Sequence, residues 1–354
     1  MKRRVLDTKD SAVWCETLKR FPEADVYFLP QYHHAYEVNG NGTAHAFVAE
    51  EGGHLFFYPF IVRPIEKVGA EPVRGPWFDI ETVYGYSGPL GTTTDGEFLA
   101  AAWKAFDAWC EENRIVAEFI RFNPLLENQC YADASRKPAF DRETVVVGLA
   151  GSEEDLWASY PSGHRTKIRK AVKGGLICEE TAVADGLPVF KELYAATMGR
   201  VSARRSYYFS DSYYDHLCAD LGGQVKLFTV RDKERTVAAA LFLSYGDRIH
   251  YHLGGSDADA REARPNNLLF HAVARWGQER GFRWLHLGGG RGPGQDDELF
   301  RFKASLSRLR RSFYIGKRVH NRDAYDALCS QWMRQRGISE PPRFFLLYRL
   351  EEDL

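Results

Sequence analysis

Tyr251 to Gly289, YHLGGSDADAREARPNNLLFHAVARWGQERGFRWLHLGG, reads as the end of a strand, a polar crossing, a helix and a second strand. The helix is PNNLLFHAVARWGQERG, closing at Gly281, and FRWLHLGG is the strand after it. Just upstream, QVKLFTVRD, RTVAAALFLSYGD and DRIHYHLGGS are three β-type runs in series. An antiparallel meander, a helix and one more strand make a mixed, mostly antiparallel sheet flanked by helices, so the fold class is α/β (α+β).

The same order occurs once more, nearer the N-terminus. DSAVWCETLKRF is an amphipathic helix, and TAHAFVAEEGGHLFFYPFIVRPI is a hairpin turning at Gly52 and Gly53. GEFLAAAWKAFDAWCEEN then forms a long helix, followed by the strands VAEFIRFNPL and RETVVVGLA. The second half begins with three helical stretches, SEEDLWASY, GHRTKIRKAVKGG and LPVFKELYAATMGRV, before its meander. This repetition implies an internal duplication. The expected domains are 1–150, completed by a strand-like tail at 340–354 (RFFLLYRLEE within it), and 151–339, which carries the site.

A chain of 354 residues with 44% hydrophobic content can bury two cores. Six cysteines scattered without CxxC spacing argue against a disulfide framework and a zinc site, and His33, His34, His250 and His252 have no metal-ligand spacing. No metal is expected. Nor is a signal segment or an apolar run of membrane-spanning length expected, so the reading is a cytoplasmic protein with no membrane span. Trp14, Trp103 and Trp109, at helical spacing, read as core. Net charge is −1, yet residues 1–150 carry 15 Lys+Arg against 22 Asp+Glu and residues 151–354 carry 32 against 26. The basic second half hints at a polyanionic partner.

LHLGGGRGPGQDDELFRFKASL, Leu285 to Leu306, resembles a phosphate-cradling glycine loop only superficially. It lacks the Lys-Ser/Thr of a P-loop and the third glycine of a dinucleotide fingerprint. Gly294 is followed by Asp296, Asp297 and Glu298, whose carboxylates would repel phosphate from a helix N-terminus and suit an ordinary capped helix start. The stretch delivers Lys303.

With SGHRTKIRKAVKGGL opening the second unit, LFRFKASLSRLRRSFYIG following the glycine loop and YGYSGPLG in the first unit, the chain resembles the FemAB-type tandem-GNAT transferases over nearly its whole length. It is also similar to GNAT acyltransferases of polysaccharide and surface-polymer pathways. The resemblance implies two tandem GNAT-like domains and an aminoacyl-tRNA donor used on peptidoglycan precursors, hence a role in cell-wall biogenesis. It further implies that Lys303, at the FK position, lies at the catalytic centre, holding an acceptor carboxylate or steadying an oxyanion. The acceptor-binding arginine and tyrosine of the family come from the region TMGRVSARRSYYFSDSYYDHL, which points to Arg200, Arg204 and Tyr208.

The residues allow a second account of each candidate. Lys303 stands in a basic run that could be a solvated face, although Phe300, Phe302, Leu306 and Leu309 give its helix a packed side. Arg204 and Tyr208 are four apart and could share a helix face, or lie in an exposed loop. Arg165, Lys167 and Arg169 could contact tRNA phosphates or line a solvated helix. Tyr251 could face the acyl site or the core, and Tyr86 belongs to the first-unit motif.

Direct N-acyl transfer needs a deprotonated amine, an activated ester and an oxyanion site, not a nucleophilic side chain. SDADAREARPNNLL has no glycines where acetyl-CoA-binding GNAT domains carry RxxGxG/A, which favours aminoacyl-tRNA over acyl-CoA. No tightly bound cofactor is expected. The leading reading is an amide-forming aminoacyltransferase acting on a free amine of a peptide, cell-wall precursor or small metabolite, with possible peripheral contact to a lipid-linked acceptor and no DNA partner. The alternatives are an N-acyltransferase taking acyl-CoA or acyl carrier protein to an amino sugar or small amine, and a non-catalytic binding module. A further expectation is that domain one closes over the acceptor while domain two holds the chemistry.

Overall fold

Gly52 and Gly53, at φ +60° and +83°, take the two left-handed positions of a tight hairpin turn. They close the pairing of Thr43–Glu51 with His54–Pro64, whose last register is Glu51 opposite His54. The computed structural model describes residues 1–292 and 297–350. In chain order its first elements are β1 (Lys2–Asp7), α1 (Ser11–Leu18), α2 (Pro30–Val38), β2 (Thr43–Glu51), β3 (His54–Pro64), β4 (Lys67–Val68), β5 (Glu71–Pro72), β6 (Phe78–Glu81), β7 (Leu90–Gly91), α3 (Gly96–Glu112), β8 (Ile115–Arg121) and β9 (Ala139–Gly148). There follow α4 (Glu153–Ser159), α5 (Ser162–Lys173), β10 (Leu176–Thr181), α6 (Val183–Arg200), α7 (Asp211–Leu221), β11 (Val225–Asp232), β12 (Arg235–Tyr245), β13 (Arg248–Ser256), α8 (Pro265–Glu279), β14 (Trp284–Gly288), α9 (Glu298–Ala304), β15 (Leu309–Val319) and α10 (Arg322–Arg336).

The chain forms two compact units, Met1–Phe140 with Phe313–Leu354, and Asp141–Ser312. In the first, the strands lie in the order β1-β2-β3-β6-β8-β15; in the second, β9-β14-β13-β12-β11-β10. Each set has one parallel pair, β6 with β8 and β13 with β14, and the other pairings are antiparallel. In each, a helix on the connection crosses from one parallel strand to the other, α3 in the first unit and α8 in the second. Two mixed, mostly antiparallel sets of strands with the same order make this a duplicated α/β fold, as two tandem GNAT-like domains would require.

The units divide at other points than 150/151 and 339/340. β9 follows the first repeat in sequence but supplies the strand beside β14, and β15 follows the second repeat but pairs with β8. Each ladder needs a partner for its last strand, so the division falls inside β9 and β15 rather than in a loop. Among its described residues, which end at Leu350, the tail is not a strand. Leu347–Arg349 is a single 3-10 turn, and Leu346, Leu347, Tyr348 and Leu350 bury their side chains with Leu328 and Trp332 of α10. Trp332 Nε1 donates to the Leu350 carbonyl at 2.9 Å, and Arg349 Nε donates to Asp79 at 2.8 Å. The basic segment 308–318 is strand rather than helix from Leu309 onward, so Leu309 is not on the packed face of α9 and stands exposed. α7, β10 and α10 emerge only in the structure.

In the first unit, α3 lays Phe98, Trp103 and Phe106 on Phe47, Phe56, Tyr58 and Phe60. A fully buried ionic group lies beside this core. Arg136 stacks 3.7 Å over the Trp103 ring and donates to Asp107 at 2.6 Å, and its Nη2 lies 3.1 Å from Glu118. Burial alone would raise the Glu118 pKa, but Arg136 and His320 outweigh it and hold it at about 2. Its stabilising effect is therefore complete above the ordinary carboxylate range and is lost as pH falls toward 2. Truncation at Arg136 would leave Glu118 buried and uncompensated. We expect Arg136→Ala to lower unfolding free energy by about 3–5 kcal/mol, read from urea denaturation at neutral pH; a midpoint equal to the parent's would show that the charge is solvated.

Candidate active site

The second unit places Lys303 where two strands part. β13 and β14 pair in parallel only at Arg248–Trp284, Ile249–Leu285 and His250–His286. After that register Tyr251 begins the free stretch of β13 on this side, while Gly288 pairs with Val145 of β9 on the other edge of β14. At the last paired register the His250 and His286 rings lie Nδ1 to Nδ1 at 3.3 Å, both buried. His252, the next histidine along, meets the Tyr213 hydroxyl at 2.7 Å through Nε2. These histidines pin the point from which the strands separate.

α9 carries Lys303 into this gap. The ammonium donates to the Gly289 carbonyl at 2.7 Å and lies 5.4 Å from the centre of the Tyr251 ring. Tyr251 is itself held edge-on by Phe270 at 5.1 Å and by a tilted Phe242 ring at 5.7 Å, and burial pushes its hydroxyl up to about 12. Lys303 is only 6% exposed. Burial pushes its pKa down to about 7 and Arg142 adds to the fall, while Asp297 works the other way. The lysine is thus not part of a solvated basic face, and near neutral pH it exists in both protonation states.

The glycine stretch exists to hold this helix. Asp297 caps α9 by accepting from Phe300 N–H at 2.8 Å. The same carboxylate accepts from the backbone N–H groups of Arg291 at 2.8 Å and Gly292 at 3.1 Å. The loop's amide nest is therefore filled by the protein's own anion. Those amides, from Phe300, Gly292 and Arg291, hold Asp297 below its usual range even though partial burial opposes them. A Cβ at Gly290 would come within 2.5 Å of the Asp297 Oδ1, so only glycine allows this approach. Gly294 and Asp296 lie outside the described residues. Successive carbonyls of the loop take successive cations: Gly289 takes Lys303, and Gly290 accepts from Arg142 Nη1 at 3.0 Å. Arg142 sits at the start of β9 with no motif around it, so nothing in the sequence marked it.

The other candidates are placed as follows. Arg200 ends α6 and reaches the Ser256 carbonyl at 3.2 Å, tying the helix to the end of β13. Arg204 and Tyr208 do not share a helix face. Ser202 turns left-handed at φ +46°, α6 stops at Arg200, and Arg205–Tyr207 is one 3-10 turn, leaving both side chains exposed. Arg165 donates to the carbonyls of Tyr160 at 2.7 Å, Ala158 at 3.3 Å and Trp157 at 3.4 Å, closing the end of α4. Arg169 lies 5.2 Å over the Trp157 ring, and Lys167 is partly exposed on the same helix, α5. Tyr86 belongs to the first unit, edge-on to Tyr27 and Phe313. At the start of α8, Pro265 has no N–H, and the Asn267 and Leu268 amides turn back to the Arg264 carbonyl at 3.1 and 3.4 Å. No helix among the described residues is long and apolar enough to cross a membrane.

Residues 161–304 match the family described as an acetyltransferase (GNAT) domain. The fold is similar to the crystal structure of FemX, with TM-score 0.66 and 15% identity over 92% of this chain and 99% of that one. It is also similar to the C-terminal domain of a putative lysylphosphatidylglycerol synthetase from Agrobacterium fabrum, with TM-score 0.55 and 16% identity over 92% and 96% of the two chains. A third likeness is L-PGS from Bacillus licheniformis, with TM-score 0.50 and 15% identity over 77% and 84%. Comparison with curated protein sequences found no match. Residues 161–304 thus match a GNAT domain, in a chain whose fold is similar to that of FemX.

Proposed function

We propose that the chain forms an amide by moving an aminoacyl group from aminoacyl-tRNA to a free amine of a peptide, cell-wall precursor or small metabolite. The observation that carries this reading is the buried Lys303 ammonium, held on the Gly289 carbonyl where β13 and β14 part, with its pKa brought down to about 7. A neutral Lys303 takes a proton from the acceptor amine as the new C–N bond forms. The resulting ammonium faces the oxyanion, and its proton leaves with the tRNA hydroxyl when the ester C–O bond breaks. Bonds and protons balance without a metal or a covalent intermediate.

The start of α8 supports tRNA over CoA, because SDADAREARPNNLL brings no glycines there, Pro265 has no N–H and the Asn267 amide turns back to the Arg264 carbonyl. A lysyl-transferring likeness agrees with an aminoacyl cargo. Arg200, Arg204, Tyr208 and Tyr251 remain the proposed acceptor contacts, and Lys167 and Arg169 the proposed phosphate contacts. Transfer from acyl-CoA or acyl carrier protein to an amino sugar or small amine is the second reading, favoured by the acetyltransferase description of the matched domain. The proposed compartment is the cytoplasm.

Labelled aminoacyl-tRNA and labelled acetyl-CoA, supplied separately with candidate amines, decide between donors; label moving only from acetyl-CoA overturns the proposal. Affinity for aminoacyl-tRNA should fall steeply with salt, and Lys167→Glu with Arg169→Glu should flatten that slope, as each neutralised phosphate releases counterions. Arg165 is a poor test because its loss would uncap α4.

Lys303→Met should lower turnover about a hundredfold to a thousandfold at saturating substrates, and Lys303→Arg should not restore it, since a planar fork cannot occupy the ammonium's place. Parental turnover should rise with pH through about 7, and the variant should lose that inflection. Stability supplies an independent reading. A lysine whose folded pKa is below its unfolded value destabilises most where both states are charged, below about pH 7, and the cost falls as pH rises toward 10.5. Lys303→Met should therefore be at least as stable as the parent at pH 6, with a margin that shrinks by pH 9; near-parental turnover in this variant would remove Lys303 from the site.

A further inference from the structure

A second feature rich in charge lies wholly in the first unit and takes no part in the chemistry above. A pocket of ≈ 590 Å³ is lined by Trp77, Lys104, Asp107, Glu111, Arg114 and Arg318, among others. Three facts set it apart from an ordinary surface hollow.

Its cations outnumber the acids that could neutralise them. Asp107 has both oxygens engaged, Oδ1 by Arg136 at 2.6 Å and Oδ2 by Arg318 at 2.9 Å. Arg318 is thus already paired with Asp107, and for Lys104 and Arg114 the only further acid on the pocket wall is Glu111, which stands exposed. Asn321, also on the wall, is occupied in capping α10 through the Ala324 amide at 2.9 Å.

Arg318 also keeps a donor without an acceptor. Its Nη2 serves Asp107, while Nε is buried and meets no acceptor among the described residues. A buried donor left this way is destabilising until it gains an acceptor.

The third fact is backbone strain at the rim. Arg114 follows the end of α3 in the left-handed region, at φ +55°, with its N–H on the Glu111 carbonyl at 3.1 Å. That position after a helix favours glycine, and a side chain there is strained. Here the strained position carries a guanidinium beside a pocket, an arrangement that favours a ligand over stability.

We propose that this pocket binds an oxyanion, the phosphate or carboxylate of a small molecule whose flat or apolar body rests on Trp77. Arg114 and Arg318 contact the anion and Lys104 supplies long-range attraction. The occupant is distinct from the donor and acceptor assigned to the second unit.

The test uses the full chain, titrated calorimetrically with inorganic phosphate and, in a separate arm, with acetate. Saturable binding of phosphate alone identifies a phosphate-bearing ligand, and binding of acetate as well admits a carboxylate. Arg114→Gly relieves the strained φ, so it should melt no lower than the parent and yet bind at least about tenfold more weakly. A merely structural arginine would not separate those two readouts. Should Arg114→Gly melt lower, the exposed Lys104→Ala variant decides, with weakened binding expected. Failure of both anions to bind the parent, or parental affinity in Arg114→Gly and Lys104→Ala, would overturn the proposal.

Discussion

The second unit is organised around an ammonium taken out of water. Lys303 is nearly inaccessible, and the Gly289 carbonyl with the face of Tyr251 replaces its solvent shell only partly. That incomplete replacement is why burial outweighs the Asp297 charge and brings the pKa to about 7. Neighbouring features serve this one group. The His250–His286 contact marks where the strands separate, the glycines let the loop fold tightly on Asp297, and Asp297 fixes the first turn of the helix that carries the lysine. A solvent-exposed lysine at this position would hold its proton at neutral pH and could only attract charge.

The glycine loop is the reverse of a phosphate cradle, though it uses the same physics. Consecutive backbone N–H groups form an anion site, and a carboxylate from six residues away in the chain fills it. Loop and helix are thereby locked without a ligand. The first unit solves burial of charge differently, by compensation: Arg136, Glu118, Asp107 and His320 neutralise one another beneath the Trp103 ring. Compensated charge keeps Glu118 ionised there, whereas burial of the uncompensated lysine lowers its pKa to about 7.

The two repeats show how connectivity can mislead. Each sheet ends on a strand that the linear order assigns to the other repeat, β9 in the second unit and β15 in the first. A backbone ladder is satisfied by whichever strand lies alongside, and no local pattern names that strand. The same blindness explains the tail: Leu346, Leu347, Tyr348 and Leu350 look like an apolar strand, but they pack on α10, and the Arg349 ion pair with Asp79 fixes a turn.

Local physics was legible in the chain by itself. Alternating and helical apolar spacings marked the hairpin at Gly52–Gly53, the meander β11 to β13, the helices α3 and α8, and the duplication. The missing glycines of SDADAREARPNNLL and the acidic helix start after the glycine loop were equally readable, because capping and turn chemistry depend on a few adjacent residues. The motif around Lys303 singled it out in the sequence; its burial and its lowered pKa did not show there. A pKa depends on everything within several ångströms, and Gly289, Tyr251, Arg142 and Asp297 are up to about 160 residues apart in sequence. Arg204 with Tyr208, and Arg165, went the other way: their spacing suggested a shared face and a phosphate contact. A left-handed Ser202 and three carbonyls at the end of α4 gave them different surroundings. Spacing states which residues can meet, and only the packed chain decides which of them lose water and what replaces it.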